Sequence, residues 1–429
     1  MFGFANFLLL ALFAAAVFDL IFALARGDGL RGALHGLWNT PHLLFGQQLA
    51  EWRLQLGRIL FAAGLAAYEI SVVFCNSMAR QNWAWVQGVM SPVLEWLAFL
   101  CFGAKILFGT RYTWRELLAG GALYFIARWV YFNSQNIWWI GIVVAVLAAK
   151  DVPLRRPLQV YFASGCAAMA VVLALHFAGI VAPDLTSERM GALRGTYGYG
   201  HPNTFGGLVF GLVLAYALLR AQKVRWVDCL LVFAVGVFLL VGPASRSAAL
   251  CTLALAVGLV FCCLRAGHSV PRWWPGTCAG MVGLTAAVSY LLPLLVIKVG
   301  PWNNDIGPAW LAKLDSLLTC RISLTWMAYR LLDVKIAGQV FNWPTVDNSF
   351  AFALFQFGPV VAALLGILFA AALLGHAKQG RRVEVCCLFA MLAYADMEVQ
   401  PFHLTTNPTA LLLCGAVFAQ TSARWQKIE

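Results

Sequence analysis

The chain has 429 residues, of which 62% are hydrophobic and only 11% are charged. A soluble domain averages roughly 45–50% apolar and about 25% charged residues, so this composition excludes disordered chains, disulfide scaffolds and soluble Rossmann or barrel enzymes. The net charge is +12, from 30 Lys and Arg against 18 Asp and Glu. In a soluble protein such an excess suggests a nucleic acid partner. In a membrane protein, retention of basic loops on the cytoplasmic side explains most of it, and we expect no nucleic acid partner.

The apolar runs predict an all-α, polytopic transmembrane helix bundle that forms a single integral membrane domain over residues 1–429. At about 20 residues per span, the length allows about 12–14 spans. The first run is too long for a signal-peptide core and has no Lys or Arg before it, so we expect a retained span. The predicted spans are 4–25, 57–75, 88–108, 115–132, 134–149, 158–182, 203–221, 226–243, 246–264, 276–297, 347–375, 383–397 and 405–422.

Loop charges predict the orientation. The loops of one side carry two thirds of the basic residues and are therefore expected in the cytoplasm. This places the C-terminus inside and, with thirteen spans, the N-terminus outside, in the cytoplasmic (cell) membrane. The basic residues expected outside are Arg80, Arg128, Arg189, Arg194, Arg246, Lys298, Lys313, Arg321, Arg330 and Lys335.

One large external loop is expected at residues 298–346, and it holds half of the external basic residues. Between Pro308 and Gly338 its apolar residues recur at helical spacing. The pattern predicts an amphipathic helix or helix pair that lies on the outer face of the membrane.

The densest polar segment in apolar surroundings runs from Arg194 to Gly207, RGTYGYGHPNTFGG, and joins two predicted spans. Pro202 with Asn203 or Thr204 would supply the first-turn and cap residues of the second span. A helix N-terminus beside Arg194 and His201 would suit an anion. The alternative is a capped turn with an interfacial histidine.

A second motif, GPASRS at 242–247, interrupts two apolar runs so briefly that Arg246 lies close to membrane depth. A charge there needs an acidic partner, water or an anionic ligand. The alternative is an arginine that snorkels to the interface.

A third motif combines Arg321 in the large loop with Asp347-Asn348-Ser349 at the start of the next span. Arg321 could instead face solvent, as arginines on amphipathic helices commonly do. Asp347 could equally be a carboxylate that favours a helix N-terminus.

The last external turn carries Asp396, Glu398 and His403. Two carboxylates and a histidine could form a base site or could cap the outer arginines through salt bridges. Glu69, Glu95 and Arg128 lie within or near other spans and are candidates by position alone.

Motifs for nucleotides, redox cofactors and zinc proteolysis are absent from the sequence, as is an external DxD. We therefore expect no cofactor and no metal. Outward-facing arginines around a membrane-embedded cavity suit an anionic lipid headgroup, and a diphosphate best, because guanidinium pairs with phosphate bidentately.

The order of these motifs resembles the Wzy-type polysaccharide polymerases, in particular their Gram-positive capsular and exopolysaccharide branch; the O-antigen ligases are related. The resemblance covers residues 152–420. It rests on an Arg before Gly-His-Pro-Asn, on Ser-Arg two spans later, on an Arg in the large loop and on Asp-Asn-Ser at a span start.

The resemblance implies a metal-independent, inverting glycosyltransferase with a GT-C-like fold at the outer face of the membrane. It would join oligosaccharide repeat units linked to undecaprenyl diphosphate. Arg194 and Arg246 would act on the leaving diphosphate and Arg321 would complete the clamp, since stabilising a departing anion suits preorganised cations. Asn203, Asp347, Glu398 and His403 are the further substrate-binding candidates. The partners implied are the lipid-linked oligosaccharides and the bilayer; whether a chain-length regulator also binds is open.

The general base is the open point of this assignment. The related ligases use a histidine in the large loop, whereas residues 298–346 contain none. His201 is the first choice, as a base or as a hydrogen-bond donor to the diphosphate, followed by Asp347, Glu398 and His403. A ligase is the rival within this class. A flippase for lipid-linked sugars is the rival from another class, but the sequence lacks the internal symmetry that a transporter would favour.

Overall fold

The structure is a computed structural model that describes residues 2–27, 29–181, 187–189, 192–265, 267–296 and 307–418. Helices make up most of these residues, and each of the four strands is two or three residues long. The predicted all-α class is therefore confirmed. None of the twelve cysteines, all of which lie in the described ranges, is in a disulfide bond.

The helices of the first half are α1 (Phe2–Ala25), α2 (Leu30–Asn39), α3 (Ala50–Cys75), α4 (Ala79–Asn82), α5 (Ser91–Phe108), α6 (Trp114–Ser134), α7 (Ile137–Ala148) and α8 (Arg155–Phe177). Those of the second half are α9 (Pro202–Arg220), α10 (Trp226–Val241), α11 (Arg246–Leu264), α12 (Trp274–Leu291), α13 (Ala309–Leu317), α14 (Arg321–Leu331), α15 (Ser349–Phe352), α16 (Pro359–Lys378), α17 (Arg382–Ala395) and α18 (Cys414–Val417).

Shorter elements complete the chain. Two antiparallel ladders join β1 (His42–Leu43) to β2 (Arg111–Tyr112), and β3 (Ser187–Arg189) to β4 (Ala192–Arg194). Two π-helical turns cover Val86–Met90 and Ala353–Phe357. Three 3₁₀ segments cover Leu292–Leu295, Gln400–Phe402 and Pro408–Leu413.

Within the described ranges, eight helical segments are long and apolar enough to cross a membrane, which makes the chain a multi-pass membrane protein. They are Asn6–Ala25, Ala50–Cys75, Val86–Phe108, Arg155–Phe177, Pro202–Arg220, Arg246–Leu264, Trp274–Leu295 and Pro359–Lys378. Three shorter apolar segments, Ile137–Ala148, Trp226–Val241 and Pro408–Val417, coincide with further predicted spans. The predicted spans at 115–132 and 383–397 correspond to α6 and to the 14-residue α17. The total of thirteen stays a prediction.

The predicted continuous span at 347–375 is interrupted. Residues 349–357 form α15 and a π-helical turn, and α16 begins anew after Gly358, whose φ is +89°. At this break the backbone of residues 336–338 packs against 356–358 so closely that a Cβ on Gly358 would lie 2.1 Å from the carbonyl oxygen of Ile336. The positive φ and this close approach both require glycine, and they end the helix where hydropathy alone would continue it.

The packing separates a protein-enclosed centre from a lipid-facing periphery. In α7 every residue from Trp139 to Ala148 is buried, so protein surrounds this helix on all sides. By contrast, α1, α10 and α12 expose large apolar side chains such as Phe13, Phe233 and Leu284. The short α7 is therefore the centre of the bundle, and the outer helices present the surface expected to face lipid.

The bundle has two distinguishable ends. At the first, which we call the upper end, α3 ends while α9, α11 and α15 begin; the Met78 N–H donates to Gly198 O there (2.8 Å). At the other, the lower end, α3 begins and α5 ends, joined by Arg53 Nε donating to Phe108 O (2.9 Å).

The predicted helix pair is present in the large loop, as α13 and α14. Residues 297–306, including the predicted Lys298, lie outside the described residues. The pair is not confined to a surface position, because Arg321, Ile322 and Ser323 at the start of α14 are buried. The alternative in which Arg321 faces solvent is therefore excluded.

Candidate functional site

Five of the eight candidate residues form one continuous chain of polar contacts at the upper end. Arg194 Nη2 donates to Asn203 Oδ1 (2.8 Å), and Asn203 Nδ2 donates to Glu398 Oε1 (3.0 Å). Arg321 Nη2 donates to the same Glu398 oxygen (2.7 Å), while Arg321 Nε lies 3.7 Å from Asp347 Oδ2. Segments that are far apart in the sequence thus converge on one carboxylate. We call these five residues the arginine–carboxylate network.

Arg194 also joins the first sequence motif to the second. Its guanidinium donates to two backbone carbonyls of the GPASRS segment, from Nε to Pro243 O (3.3 Å) and from Nη2 to Ala244 O (3.2 Å). The residue is only 7% exposed. Because the carbonyls come from the turn that leads into α11, the buried charge fixes this turn against the start of α9.

Arg246 is the first residue of α11 and is half-buried. Its neighbour Ser247 hydrogen-bonds to the Glu398 carboxylate, so this helix start borders the network directly. A cation in the first turn of a helix is disfavoured by the helix dipole. The start of α11 and the Arg246 side chain therefore both add positive potential beside the two buried guanidiniums of the network.

His201 is the N-cap of α9, a position that the sequence analysis assigned to Asn203 or Thr204. Its Nδ1 accepts a hydrogen bond from the Asn203 backbone N–H (3.1 Å). In the neutral ring this acceptor role places the proton on Nε2. The exposed ring is therefore a hydrogen-bond donor at Nε2, and a base role would require giving up the cap.

The Asp347-Asn348-Ser349 motif ties three elements together. Asn348 caps α15 by accepting from the Ala351 N–H (3.0 Å), and its Nδ2 donates to Asp396 O (3.0 Å). The Ser349 hydroxyl donates to Glu398 O (2.5 Å). Asp347 is thus not the cap of the span; it faces Arg321, and its side chain is 31% exposed.

His403 lies apart from the network. Its ring packs against Trp138 of α7, with a centroid distance of 3.7 Å, and burial lowers the pKa of its imidazole to about 3. A neutral ring held against an indole does not suit the predicted role in binding an anion. Asn407, in the same turn, caps the following 3₁₀ segment by accepting from the Ala410 N–H (3.1 Å).

Both carboxyl groups of the turn after α17 have raised pKa values. Burial raises the pKa of Glu398 to about 7, although Arg321 opposes the shift. Burial also raises the pKa of Asp396 to about 6, against the hydrogen bonds from Ser289 and Asn348. The two groups therefore titrate near neutrality while having different partners.

Asp315 of α13 positions Arg321 and was missed in the sequence. It is fully buried and accepts from the backbone N–H groups of Ile322 (2.8 Å) and Ser323 (3.1 Å) and from the Ser323 hydroxyl (2.9 Å). It caps α14 from outside that helix and so holds Arg321 at its first position. Asp315 could not be recognised as this cap in the sequence, because it lies seven positions before Ile322 and on another helix.

Glycines of α9 were also missed. A Cβ on Gly207 would lie 1.8 Å from Gln400 Oε1, and one on Gly211 would lie 2.6 Å from Thr405 O. Gln400 in turn donates to the Asn203 carbonyl (3.2 Å). The spacing of four between these two glycines is the small-residue pattern of close helix packing, and this signal could have found them.

The other charged candidates lie elsewhere. Arg128 donates to Asn6 and lies 4.7 Å from the Phe132 ring centroid, and Glu69 is buried within α3. Among the described residues, no group of three or more His, Cys, Asp or Glu is placed to hold a metal ion.

Comparison of the chain with protein-family models, with curated proteins and with solved structures found no match.

Proposed function

We propose that this chain is a polysaccharide polymerase that joins oligosaccharide repeat units carried on undecaprenyl diphosphate, by metal-independent, inverting glycosyl transfer at the outer face of the cytoplasmic membrane. The observation that carries the proposal is the arginine–carboxylate network, in which two buried arginines converge from different segments at one end of a membrane bundle. The order of the motifs along the chain supports the identity of the substrate, and the excess of basic residues in the loops assigned to the cytoplasm supports the orientation.

The chemistry asked of the arginines is electrostatic. As the bond between the anomeric carbon and the diphosphate oxygen breaks, its electron pair stays with the diphosphate. Arg194, Arg321 and Arg246 would neutralise the charge of this leaving group. Such cations work best when they are already in place, and the carbonyls that hold Arg194 and the Asp315 cap that holds Arg321 supply that preorganisation.

Asp347 is the carboxylate best suited to be the base. Nδ1 of His201 is engaged in capping α9, His403 packs on Trp138, and Glu398 is enclosed by the network. Asp347 is close to Arg321 and open enough for an acceptor hydroxyl to reach it. It would take the hydroxyl proton while the acceptor oxygen attacks the anomeric carbon on the face opposite the diphosphate.

The test is the product. Purified protein in lipid vesicles, given only lipid-diphosphate repeat units, is expected to make longer lipid-linked glycan. If no longer glycan forms until a different acceptor is added, the protein is a ligase, and movement of intact substrate across the bilayer without new bonds would indicate a flippase. Either result would overturn the polymerase.

Arg321→Ala is expected to lower the polymerisation rate by about 10²–10³-fold, the usual loss when one charge-stabilising group is removed. Arg330→Ala is the matched control, because Arg330 is exposed on the same helix and lies over the Trp326 ring instead (5.4 Å). Equal rates for the two variants, with both proteins correctly inserted, would contradict the assignment of Arg321.

A further inference from the structure

Glu398 occupies the point where the buried arginines of the site converge. It is 5% exposed, and one carboxylate oxygen accepts from both Arg321 (2.7 Å) and Asn203 (3.0 Å), while Asn203 is held by Arg194 (2.8 Å). A bound diphosphate would need these same donors. The protein therefore already places an anion of its own in the position that a diphosphate would take.

The charges of the network balance before any ligand arrives. Arg194 and Arg321 carry two positive charges, and Glu398 and Asp347 can carry two negative ones. A diphosphate esterified at both ends adds two negative charges, and Arg246 supplies only one more positive charge. Because a buried carboxylate that loses its guanidinium partner is costly to keep ionised, one carboxyl group must be neutralised as the ligand enters.

We propose that Glu398 is an internal counter-anion, which a diphosphate ester displaces from the arginines while the Glu398 carboxyl takes up one proton. The proposal rests on the proposed function for the identity of the anion. It also gives Glu398 a role in specificity. A diphosphate ester brings two charges and can replace the carboxylate, whereas a monophosphate ester brings one and competes poorly. The site would thus select diphosphate carriers over monophosphate carriers.

The groups around Glu398 favour this exchange. Arg194 and Arg321 face it from the first motif and from α14, Ser247 and Cys251 from α11, Tyr394 from α17, and Asp347 from the segment before α15. Burial raises the pKa of Glu398 to about 7 in the unliganded protein. A bound diphosphate adds negative charge nearby and raises this pKa further. Binding therefore takes up a proton above about pH 7, and below it the proton is already present.

The experiment measures binding of geranyl diphosphate glucose to the full-length protein in detergent by titration calorimetry. Both phosphates of this probe are esterified, so it lacks the second phosphate ionisation near pH 6. We expect binding about tenfold weaker at pH 8 than at pH 6, because a proton is taken up only above about pH 7, where each pH unit weakens binding by about tenfold. Two buffers with different ionisation enthalpies should show close to one proton taken up at pH 8. Geranyl monophosphate glucose should bind at least tenfold more weakly.

Glu398→Gln keeps the two hydrogen bonds but removes the charge. We expect this variant to bind the diphosphate probe with the same affinity at pH 6 and pH 8, and about tenfold more tightly than the wild type at pH 8. Asp396→Asn is the matched control, because Asp396 also titrates near neutrality but hydrogen-bonds to Ser289 and Asn348 instead. It should keep the wild-type dependence on pH.

The wild-type measurement alone can overturn the proposal. The proposal is wrong if the wild type binds the probe equally at pH 6 and pH 8 without proton uptake, or if it binds the probe at neither pH. A pH dependence that persists in Glu398→Gln would overturn the proposal as well. If the probe binds without proton uptake and polymer still forms, the counter-anion fails and the polymerase stands. If the proton is taken up but no polymer forms, the polymerase fails and the counter-anion stands.

Discussion

Two arginines at opposite ends of the bundle, Arg53 and Arg321, meet different partners. At the lower end, Arg53 donates to three backbone carbonyls, those of Leu44 (2.6 Å), Gly46 (2.7 Å) and Phe108 (2.9 Å). Another lower-end arginine, Arg220, pairs with Asp228, eight residues along the chain. At the upper end, Arg321 pairs with a carboxylate 77 residues away.

The difference in partners indicates two different roles for a cation in a membrane protein. Arg53 satisfies carbonyls that the turns leave without a partner, so its charge stabilises the way in which neighbouring helices are joined. Arg321 instead faces two carboxylates, one buried and one open. A buried ion pair adds little net stability because desolvation offsets the Coulomb attraction. We infer that Arg53 serves the fold and that Arg321 serves the ligand.

Among the variants that test this contrast, Asp347→Asn should cause the largest loss of polymerisation rate. The amide keeps the size of the side chain but cannot take a proton, so we expect the polymerisation rate to fall by about 10²–10⁴-fold. The affinity for the diphosphate probe should not fall, because Asp347 is not a phosphate ligand in the proposed mechanism and the amide removes one negative charge beside Arg321. A variant that polymerises at the normal rate would show that the base lies elsewhere.

The helical bundle could be predicted from the sequence, because apolar runs depend on neighbouring residues, but the cap of α9 is His201 and not the predicted Asn203 or Thr204. The sequence also identified all five residues of the arginine–carboxylate network. What it did not predict is their order of contact, since Asn203 and Glu398 lie 195 residues apart. It ranked His201 first as the base, because proximity to an arginine is visible in sequence whereas the cap at Nδ1 is not. Asp315 was missed because its partners are backbone N–H groups of a different helix.

Gly207→Ala should disturb the upper end through packing alone. The new methyl group would overlap Gln400 Oε1 and lie 2.8 Å from the Tyr394 hydroxyl, so the Gln400 side chain must move and give up the hydrogen bond to Asn203 O that ties the turn after α17 to α9. We expect a loss of about 1–3 kcal/mol in stability and a lower polymerisation rate, because Glu398 is carried by that turn. Thermal unfolding and the product assay measure both effects.

Gly366→Ala in α16 is the control for that change, because a Cβ there meets no atom within 4 Å. It should leave both the unfolding temperature and the rate close to those of the wild type. If Gly207→Ala behaved in the same way, the close packing of α9 on the turn would not hold Glu398 in place, and the contrast between the two ends would lose its structural basis.

Arg53→Ala should change the polymerisation rate least of all these variants. It tests directly whether the lower end contributes to stability alone. The substitution removes the donor to three carbonyls, which should cost about 1–3 kcal/mol in stability and lower the unfolding temperature. The rate per folded molecule should stay at the wild-type value, because no lower-end residue contacts the arginine–carboxylate network in the described part of the chain. Arg58→Ala, an exposed position on the same helix, should change neither quantity. A loss of rate in Arg53→Ala at an unchanged unfolding temperature would show that the lower end takes part in the reaction, and the division between fold and ligand would then be wrong.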